Sequence, residues 1–174
     1  MNIKKIIILS VLTVMLLGCI ATASAGWFDN KVESDTYKFD CPKDYHQESD
    51  AEDLNGTKYV YLTDDNGDYK ILVSEVTEEN YTNFSQKEFK NESGEYNLDS
   101  DSFSLKTGHT ILKDIKEDNM RIVTFSYPGV YATRSLIQKD GYYYQIDIQH
   151  EPNDDVLGKD IQIIKDIHNS LERK

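Results

Sequence analysis

The four histidines are the residues of this chain best suited to acid–base or metal chemistry, and they are scattered along it. No two of them stand four residues apart, the spacing that places two rings on one helix face around a metal ion. His150 ends a predicted strand, and His168 lies near the end of a predicted helix, where the helix dipole favours a cation. A structural role is predicted for every histidine: His46, His109, His150 and His168.

The two cysteines offer no clear nucleophile. Removal of the first 25 residues would leave Cys41 as the single thiol, which cannot form an intrachain disulfide. No catalytic signature surrounds Cys41, and the sequence contains no Gly-x-Ser-x-Gly elbow and no phosphate-binding glycine loop. We expect Cys41, beside Pro42 at a strand end, to be a half-buried apolar residue. The sequence therefore predicts that the protein is not an enzyme, with an extracellular hydrolase whose site assembles only on folding as the alternative.

Two acidic stretches carry the oxygen ligands that Ca²⁺ prefers, at residues 64–68 (DDNGD) and 99–101 (DSD). The first lacks the twelve-residue loop and the terminal glutamate of a Ca²⁺ motif, and a hairpin turn already explains its residues. Residues 46–50 (HQESD) could ligate a transition metal, but their spacing is generic. No metal or cofactor is predicted, and a Ca²⁺-dependent cell-envelope component stays open as a second alternative.

The N-terminal 25 residues have the pattern of an export signal. Lys4 and Lys5 precede twelve residues, 6–17, that are apolar except for a serine and a threonine, which is short for a membrane span. Ala23-Ser24-Ala25 matches a cleavage site, whereas Leu16-Leu17-Gly18-Cys19 resembles a lipoprotein box that would attach a lipid to Cys19 after removal of residues 1–18. Cleavage after Ala25, lipidation of Cys19 and retention as an anchor all stay open, and each predicts an extracytoplasmic protein.

Four N-glycosylation sequons lie close together in the sequence. Their grouping within residues 55–93 indicates one exposed region of an exported chain. The candidate acceptors are Asn55, Asn80, Asn83 and Asn91.

The charge and composition restrict the class of partner. The 174 residues carry a formal charge of −12. Such a chain offers no basic surface for nucleic acid and is repelled by anionic lipid, so membrane contact is predicted only through the N-terminal segment or a lipid on Cys19. An aromatic content of 11% indicates that the chain folds.

The periodicity after residue 25 predicts hairpins followed by a helix. Residues 26–35 are predicted to form a tether, residues 44–56 and 92–101 polar loops, and residues 77–91 a short amphipathic helix. Asn66-Gly67 predicts a type I′ turn between two strands. The predicted strands span residues 36–40, 58–62, 69–76, 109–116, 120–127, 131–138 and 142–150.

Short connections join the last four strands, so an antiparallel meander is predicted. A helix is then predicted from Asp154 or Asp155 to about Leu171, with one apolar stripe that should pack on the sheet. Its stripe contains Leu157, Ile161, Ile164, Ile167 and Leu171. The fold class is α+β, with residues 36–172 as a single domain.

This layout resembles the PsbP-like family. The start, from Tyr37 to Tyr45 (YKFDCPKDY), is similar to the aromatic and proline pattern with which such domains begin. The strand around Tyr144–Ile148, the polar loop after it and the terminal helix are similar to their end. The resemblance implies an antiparallel sheet covered by helices, an α/β/α sandwich, and a small exported protein without enzymatic activity.

Tyrosines suggest how such a module could bind. Tyr142, Tyr143 and Tyr144 must project from both faces of their strand, and Tyr59 and Tyr61 share one face of another. A tyrosine combines apolar area with a polar tip, which suits a recognition surface for a protein or a glycan, although strands favour tyrosine for packing alone. The prediction is an exported, non-catalytic binding or structural module at the outer side of the cytoplasmic membrane.

Overall fold

The computed structural model describes residues 30–48, 51–52, 57–87, 110–153 and 157–174. The strands are β1 (Asn30–Glu33), β2 (Tyr37–Cys41), β3 (Tyr45–Gln47), β4 (Ala51–Glu52), β5 (Lys58–Asp64), β6 (Lys70–Val76), β7 (Thr110–Glu117), β8 (Met120–Tyr127), β9 (Val130–Lys139), β10 (Tyr142–His150) and β11 (Glu172–Arg173). The helices are α1 (Glu78–Gln86) and α2 (Leu157–Ser170). Within these ranges, no helix is long and apolar enough to cross a membrane.

The larger described sheet has the strand order β3-β5-β6-β10-β9-β8-β7, and β4 pairs with the start of β5. Its paired strands are antiparallel throughout. Strands β7 to β10 form the predicted meander, since each pairs with the next along the chain. The smaller sheet has the order β1-β2-β11 and brings the C-terminal residues against the start of the described chain.

Helix α2 and strand β2 cover one face of the larger sheet. The helix contacts β2 and β9, and its predicted apolar stripe is buried from Ile164 onwards, whereas Leu157 and Ile161 are only partly covered. The main hydrophobic core lies between these layers and includes Phe39 of β2 and Ile146 of β10.

Helix α1 covers part of the opposite face. Neighbouring residues of β9 point to opposite faces of the sheet. Ile137 belongs to the main core, and Leu136 belongs to a second hydrophobic cluster under α1. Phe84 is the buried side chain of the helix in that cluster. The predicted α+β class, an antiparallel sheet with helices on both faces and a C-terminal helix, is therefore confirmed.

Two predicted irregular segments contain strands. Residues 30–33 of the predicted tether form β1, which pairs with β2 and buries Val32, and the predicted loop 44–56 contains β3 and β4 along β5. These strands have two to four residues, too few for alternation to stand out in a sequence. Residues 88–109 lie outside the described residues, and with them the predicted loop 92–101.

The type I′ turn lies in another hairpin than predicted. Asp140 and Gly141, between β9 and β10, have φ values of 53° and 81°, as a type I′ turn requires. In the hairpin after β5, Gly67 has a φ of 75°, but Asn66 does not have a positive φ. The Gly67 N–H donates to the Asp64 carbonyl at 3.0 Å, and the Tyr69 N–H donates to the Asp64 side chain at 3.0 Å. Six residues lie between the last paired residues, Thr63 and Lys70, so a two-residue turn does not fit this loop.

Candidate functional site

A cleft of about 570 Å³ opens at one end of the larger sheet. It lies where the β1–β2 turn, the start of β5, the end of β6 and the first turn of α1 meet. Its lining residues are Ser34, Asp35, Thr36, Tyr37, Thr57, Lys58, Tyr59, Val60, Glu75, Val76, Thr77 and Asn80. The volume lies within the range of ligand-binding clefts, about 300–1,000 Å³.

Glu75 is the centre of the polar network at the base of the cleft. Its carboxylate accepts hydrogen bonds from the Thr36 hydroxyl at 3.0 Å and from the Arg173 guanidinium at 2.5 Å. The register of β6 places Glu75 beside Tyr144 of β10, whose hydroxyl also interacts with Arg173. The negative charge of Glu75 is therefore already paired, and the base of the cleft carries no net charge.

Tyr59 and the Lys58–Asp35 pair form the outer part of the cleft. The Lys58 ammonium lies 3.6 Å from the Asp35 carboxylate, and the two side chains are 73% and 83% exposed. Such an exposed pair contributes about 0–1 kcal/mol, so both groups can rearrange around a ligand. Tyr59 is half-buried and lines the cleft, whereas Tyr61, two residues further along the same strand, is not among the lining residues.

The capping box of α1 forms the remaining wall. The Asn80 N–H donates to the Thr77 hydroxyl oxygen at 3.1 Å, and the Thr77 N–H donates to the Asn80 side chain at 3.4 Å. This reciprocal arrangement begins the helix and fixes both side chains at the cleft. Of the predicted sugar acceptors, Asn80 and Asn83 lie exposed on α1. Cys19, Asn55 and Asn91 lie outside the described residues.

His150 and Asp160 form a buried pair that was not predicted from the sequence. The His150 Nε2 atom lies 2.9 Å from Asp160 Oδ2, and the two side chains are 2% and 0% exposed. The Thr133 hydroxyl donates to the same carboxylate oxygen at 2.8 Å and lies 3.1 Å from the Thr124 hydroxyl. The burial of Asp160 could have been predicted from the sequence, because Asp160 stands one helical turn before Ile164 and so lies on the side of α2 that carries the apolar stripe.

The hydrogen bonds of this pair indicate a structural role. His150 Nδ1 lies 2.6 Å from the Glu151 carbonyl, so both ring nitrogens face acceptors and the imidazolium form fits best. In a catalytic triad the histidine lies between the carboxylate and a nucleophile, whereas here Asp160 lies between His150 and Thr133. The pair joins α2 to β9 and β10, and it does not activate a hydroxyl.

The surroundings of His150 decide its protonation. Tyr69 stacks on the ring at 4.7 Å, Tyr131 meets its edge, and Lys159 lies above Tyr69. Burial and the Lys159 charge oppose the charged form, but the hydrogen bonds to Asp160 and the Glu151 carbonyl outweigh them and raise the pKa of His150.

The stability of the protein should therefore decrease with rising pH above about 6.5. Because folding raises the pKa of His150, its contribution is fully present below the unfolded-state value and is lost as the pH rises through the folded-state pKa. An NMR titration of the His150 ring protons should give a midpoint above 6.5. A His150→Gln variant should show a flatter dependence of the free energy of unfolding on pH between about 6.5 and 9. A midpoint at or below the ordinary value would contradict this prediction.

The other described histidines lie apart from this pair. His46 is exposed on β3, 3.3 Å from Glu48 and 3.6 Å from Asp65. Burial, with the Lys139 charge, lowers the pKa of His168, which disfavours a cation on that residue at the helix end. Lys139 of β9 takes this role, since its ammonium donates to the His168 and Asn169 carbonyls at 2.6 and 2.9 Å. His109 lies outside the described residues.

Cys41 and the acidic turn provide no reactive centre. Cys41 is fully buried rather than half-buried, and burial raises the pKa of its thiol to about 11, so the thiolate is scarce at neutral pH. Among the described residues, no group of three or more His, Cys, Asp or Glu side chains converges as metal ligands. Residues 99–101 lie outside the described part of the chain.

The predicted tyrosine run does project to both faces. Tyr144 is buried in the main core, while Tyr143 lies on the opposite face with its ring 5.1 Å from that of Tyr81. Tyr142 is 38% exposed, and the Arg173 guanidinium lies over its ring at 4.1 Å. These rings are engaged within the fold. Tyr37 also lines the cleft but is buried, with its hydroxyl bound to the Val73 carbonyl, so Tyr59 is the more accessible of the two tyrosines that line the cleft.

No family model matches the chain, and no characterised protein matches its sequence. Among solved structures, it is similar to cyanobacterial PsbP (CyanoP) from Synechocystis sp. PCC 6803, at 11% identity and a TM-score of 0.44, over 83% of this chain and 92% of that one. It is also similar to LpqN, involved in cell envelope biogenesis of Mycobacterium tuberculosis, at 11% identity and a TM-score of 0.43, over 83% and 90%. No site residue is transferred from either structure.

Proposed function

We propose that this chain is exported and that its domain is a non-catalytic binding module, which contacts its partner through the cleft beside Tyr59. The cleft is the observation that carries the proposal, because it combines a ligand-sized volume with an accessible tyrosine and polar side chains held in place by strand pairing and a helix cap. The sealed His150–Asp160 pair supports a non-catalytic role. The proposed partner is a protein or a glycan at the cell surface.

The N-terminal pattern supports export. The intact mass of the protein purified from its native cells tests this part and separates the three possible N-termini. Cleavage after Ala25 would give a chain that begins at Gly26, and lipidation would give one that begins at Cys19 with added acyl mass. The same spectrum shows whether the chain carries added glycan mass, and a glycopeptide spectrum then assigns any glycan among Asn55, Asn80, Asn83 and Asn91. A full-length, unmodified chain in the cytosolic fraction would contradict export.

Binding through the cleft predicts that a Tyr59→Ala variant sediments less with isolated cell envelopes than the unaltered protein. We expect the apparent affinity to fall about tenfold, because a central tyrosine that loses its ring costs more than about 1 kcal/mol of binding. The amount bound at increasing protein concentration measures this affinity.

Tyr61→Ala is the matched control. Tyr61 is half-buried on the same strand but does not line the cleft, so its variant should bind normally. Urea unfolding of both variants shows whether they lose similar stability. Equal envelope binding by the Tyr59 and Tyr61 variants would overturn the proposal.

A further inference from the structure

We propose that the ligand of this cleft is a neutral glycan, an inference that rests on the proposed binding function. The first reason is the charge of the site. The charged residues that line it are Asp35, Lys58 and Glu75, and each is paired with an opposite charge. The chain as a whole carries −12, so a cleft of balanced charge is a local property. An ionic ligand finds no unpaired opposite charge among these lining residues, whereas an uncharged ligand needs none.

The second reason is the chemistry of the wall. Tyr59 offers a flat apolar ring with a hydroxyl at its tip, and it stands beside Thr57, Thr77 and Asn80. Sugar rings present C–H groups on their faces and hydroxyls at their edges, and these hydroxyls both donate and accept. A tyrosine face for the ring and hydroxyl or amide groups for the edge match that pattern. The exposed Lys58–Asp35 pair adds a donor and an acceptor at the mouth, because the ammonium has three N–H groups and the carboxylate two oxygens, so both can bind sugar hydroxyls while they stay paired.

The third reason concerns the strands around the cleft. An extended peptide gains affinity at a sheet mainly by pairing with a free strand edge. Strand β2 lies between β1 and β11, and β6 lies between β5 and β10. The outer edge of β5 pairs with β4 at Lys58 and Tyr59 and with β3 from Leu62 to Asp64, and between them the Tyr61 carbonyl accepts a hydrogen bond from the Glu48 N–H. No strand that lines the cleft offers an edge in the described residues, so recognition must use side chains, as it does for a short oligosaccharide.

An array of immobilised neutral and acidic oligosaccharides, probed with the full-length mature protein, tests the inference. We expect signal on neutral oligosaccharides, a decrease of about tenfold or more for Tyr59→Ala and no loss for the matched Tyr61→Ala control. For the best neutral oligosaccharide, two-dimensional NMR should show shifts of the Lys58, Tyr59 and Thr36 amides and none at His150.

A random-peptide display library, selected on the same proteins, forms the second arm. Peptide binding that depends on Tyr59, without binding of neutral oligosaccharides, would overturn the glycan inference and leave the binding module intact. Signal confined to acidic oligosaccharides would also overturn it. If neither arm gives binding that depends on Tyr59, the glycan inference and the proposed function both fail.

Discussion

Replacing Asp160 with alanine is expected to lower the free energy of unfolding by about 3–5 kcal/mol. The substitution leaves the His150 imidazolium buried without its counter-charge and removes the acceptor of the Thr133 hydroxyl. It also releases the start of α2 from β9 and β10, because this carboxylate is the polar link between them. Urea unfolding at about pH 6, where His150 is charged, measures the loss.

Asp166→Ala provides the matched control on the same helix. The Asp166 carboxylate accepts an exposed hydrogen bond from Gln162 at 2.9 Å, and such helix-surface pairs contribute about 0.2–0.5 kcal/mol. A double variant, Asp160→Ala with His150→Ala, should cost less than the sum of the two single changes, since the two groups interact directly. A loss for Asp160→Ala as small as that for Asp166→Ala would refute the buried ion pair.

Replacing Arg121 with methionine should be comparably severe, at about 3–5 kcal/mol. Arg121 of β8 has a side chain only 2% exposed, and it binds Asp114 through two hydrogen bonds of 3.0 and 2.8 Å. Its Nη1 atom also donates to the Phe84, Ser85 and Lys87 carbonyls at 2.8, 3.2 and 2.5 Å, which are groups at the end of α1. Methionine fills the space but leaves these acceptors unpaired.

Arg134→Met is the control for this second change. Arg134 binds Asp147 with similar geometry, at 2.6 and 2.8 Å, but its side chain is 26% exposed and water can replace it. We expect a loss of about 1 kcal/mol there. Hydrogen exchange distinguishes the cause, because Arg121→Met should deprotect the amides of α1 before those of β8. Equal losses in the two arginine variants would show that Arg121 does not fasten α1 to the sheet.

The contacts of Arg121 also bear on the cleft. Helix α1 brings Thr77 and Asn80 to the cleft wall, and Arg121 holds the other end of the same helix. A loosened α1 would shift that wall without any change in Tyr59. The Arg121 variant should therefore bind envelopes less well even where it is fully folded.

Local patterns in the sequence predicted most of the regular structure. Alternation located β8 and β10 at their observed bounds, and the spacing of Ile164, Ile167 and Leu171 located α2 and its buried face. These features are visible because each strand or helix repeats its pattern within a few residues. Strands β1, β3, β4 and β11 were missed because two to four residues are too few to show a repeat, and they exist only through their partners.

The sites depend on contacts that the sequence does not record. Thr36 and Glu75 are 39 residues apart, Glu75 and Arg173 are 98 apart, and Arg121 reaches a carbonyl 37 residues away. Each of these residues looks like an ordinary surface polar residue in its own segment. The sequence alone determined the α+β class, the antiparallel meander of β7 to β10, the terminal helix and the export pattern, since those follow from local periodicity and composition. Only the tertiary structure decided which charges pair, which histidine is buried and where the cleft opens, because strand register and helix docking bring distant side chains together.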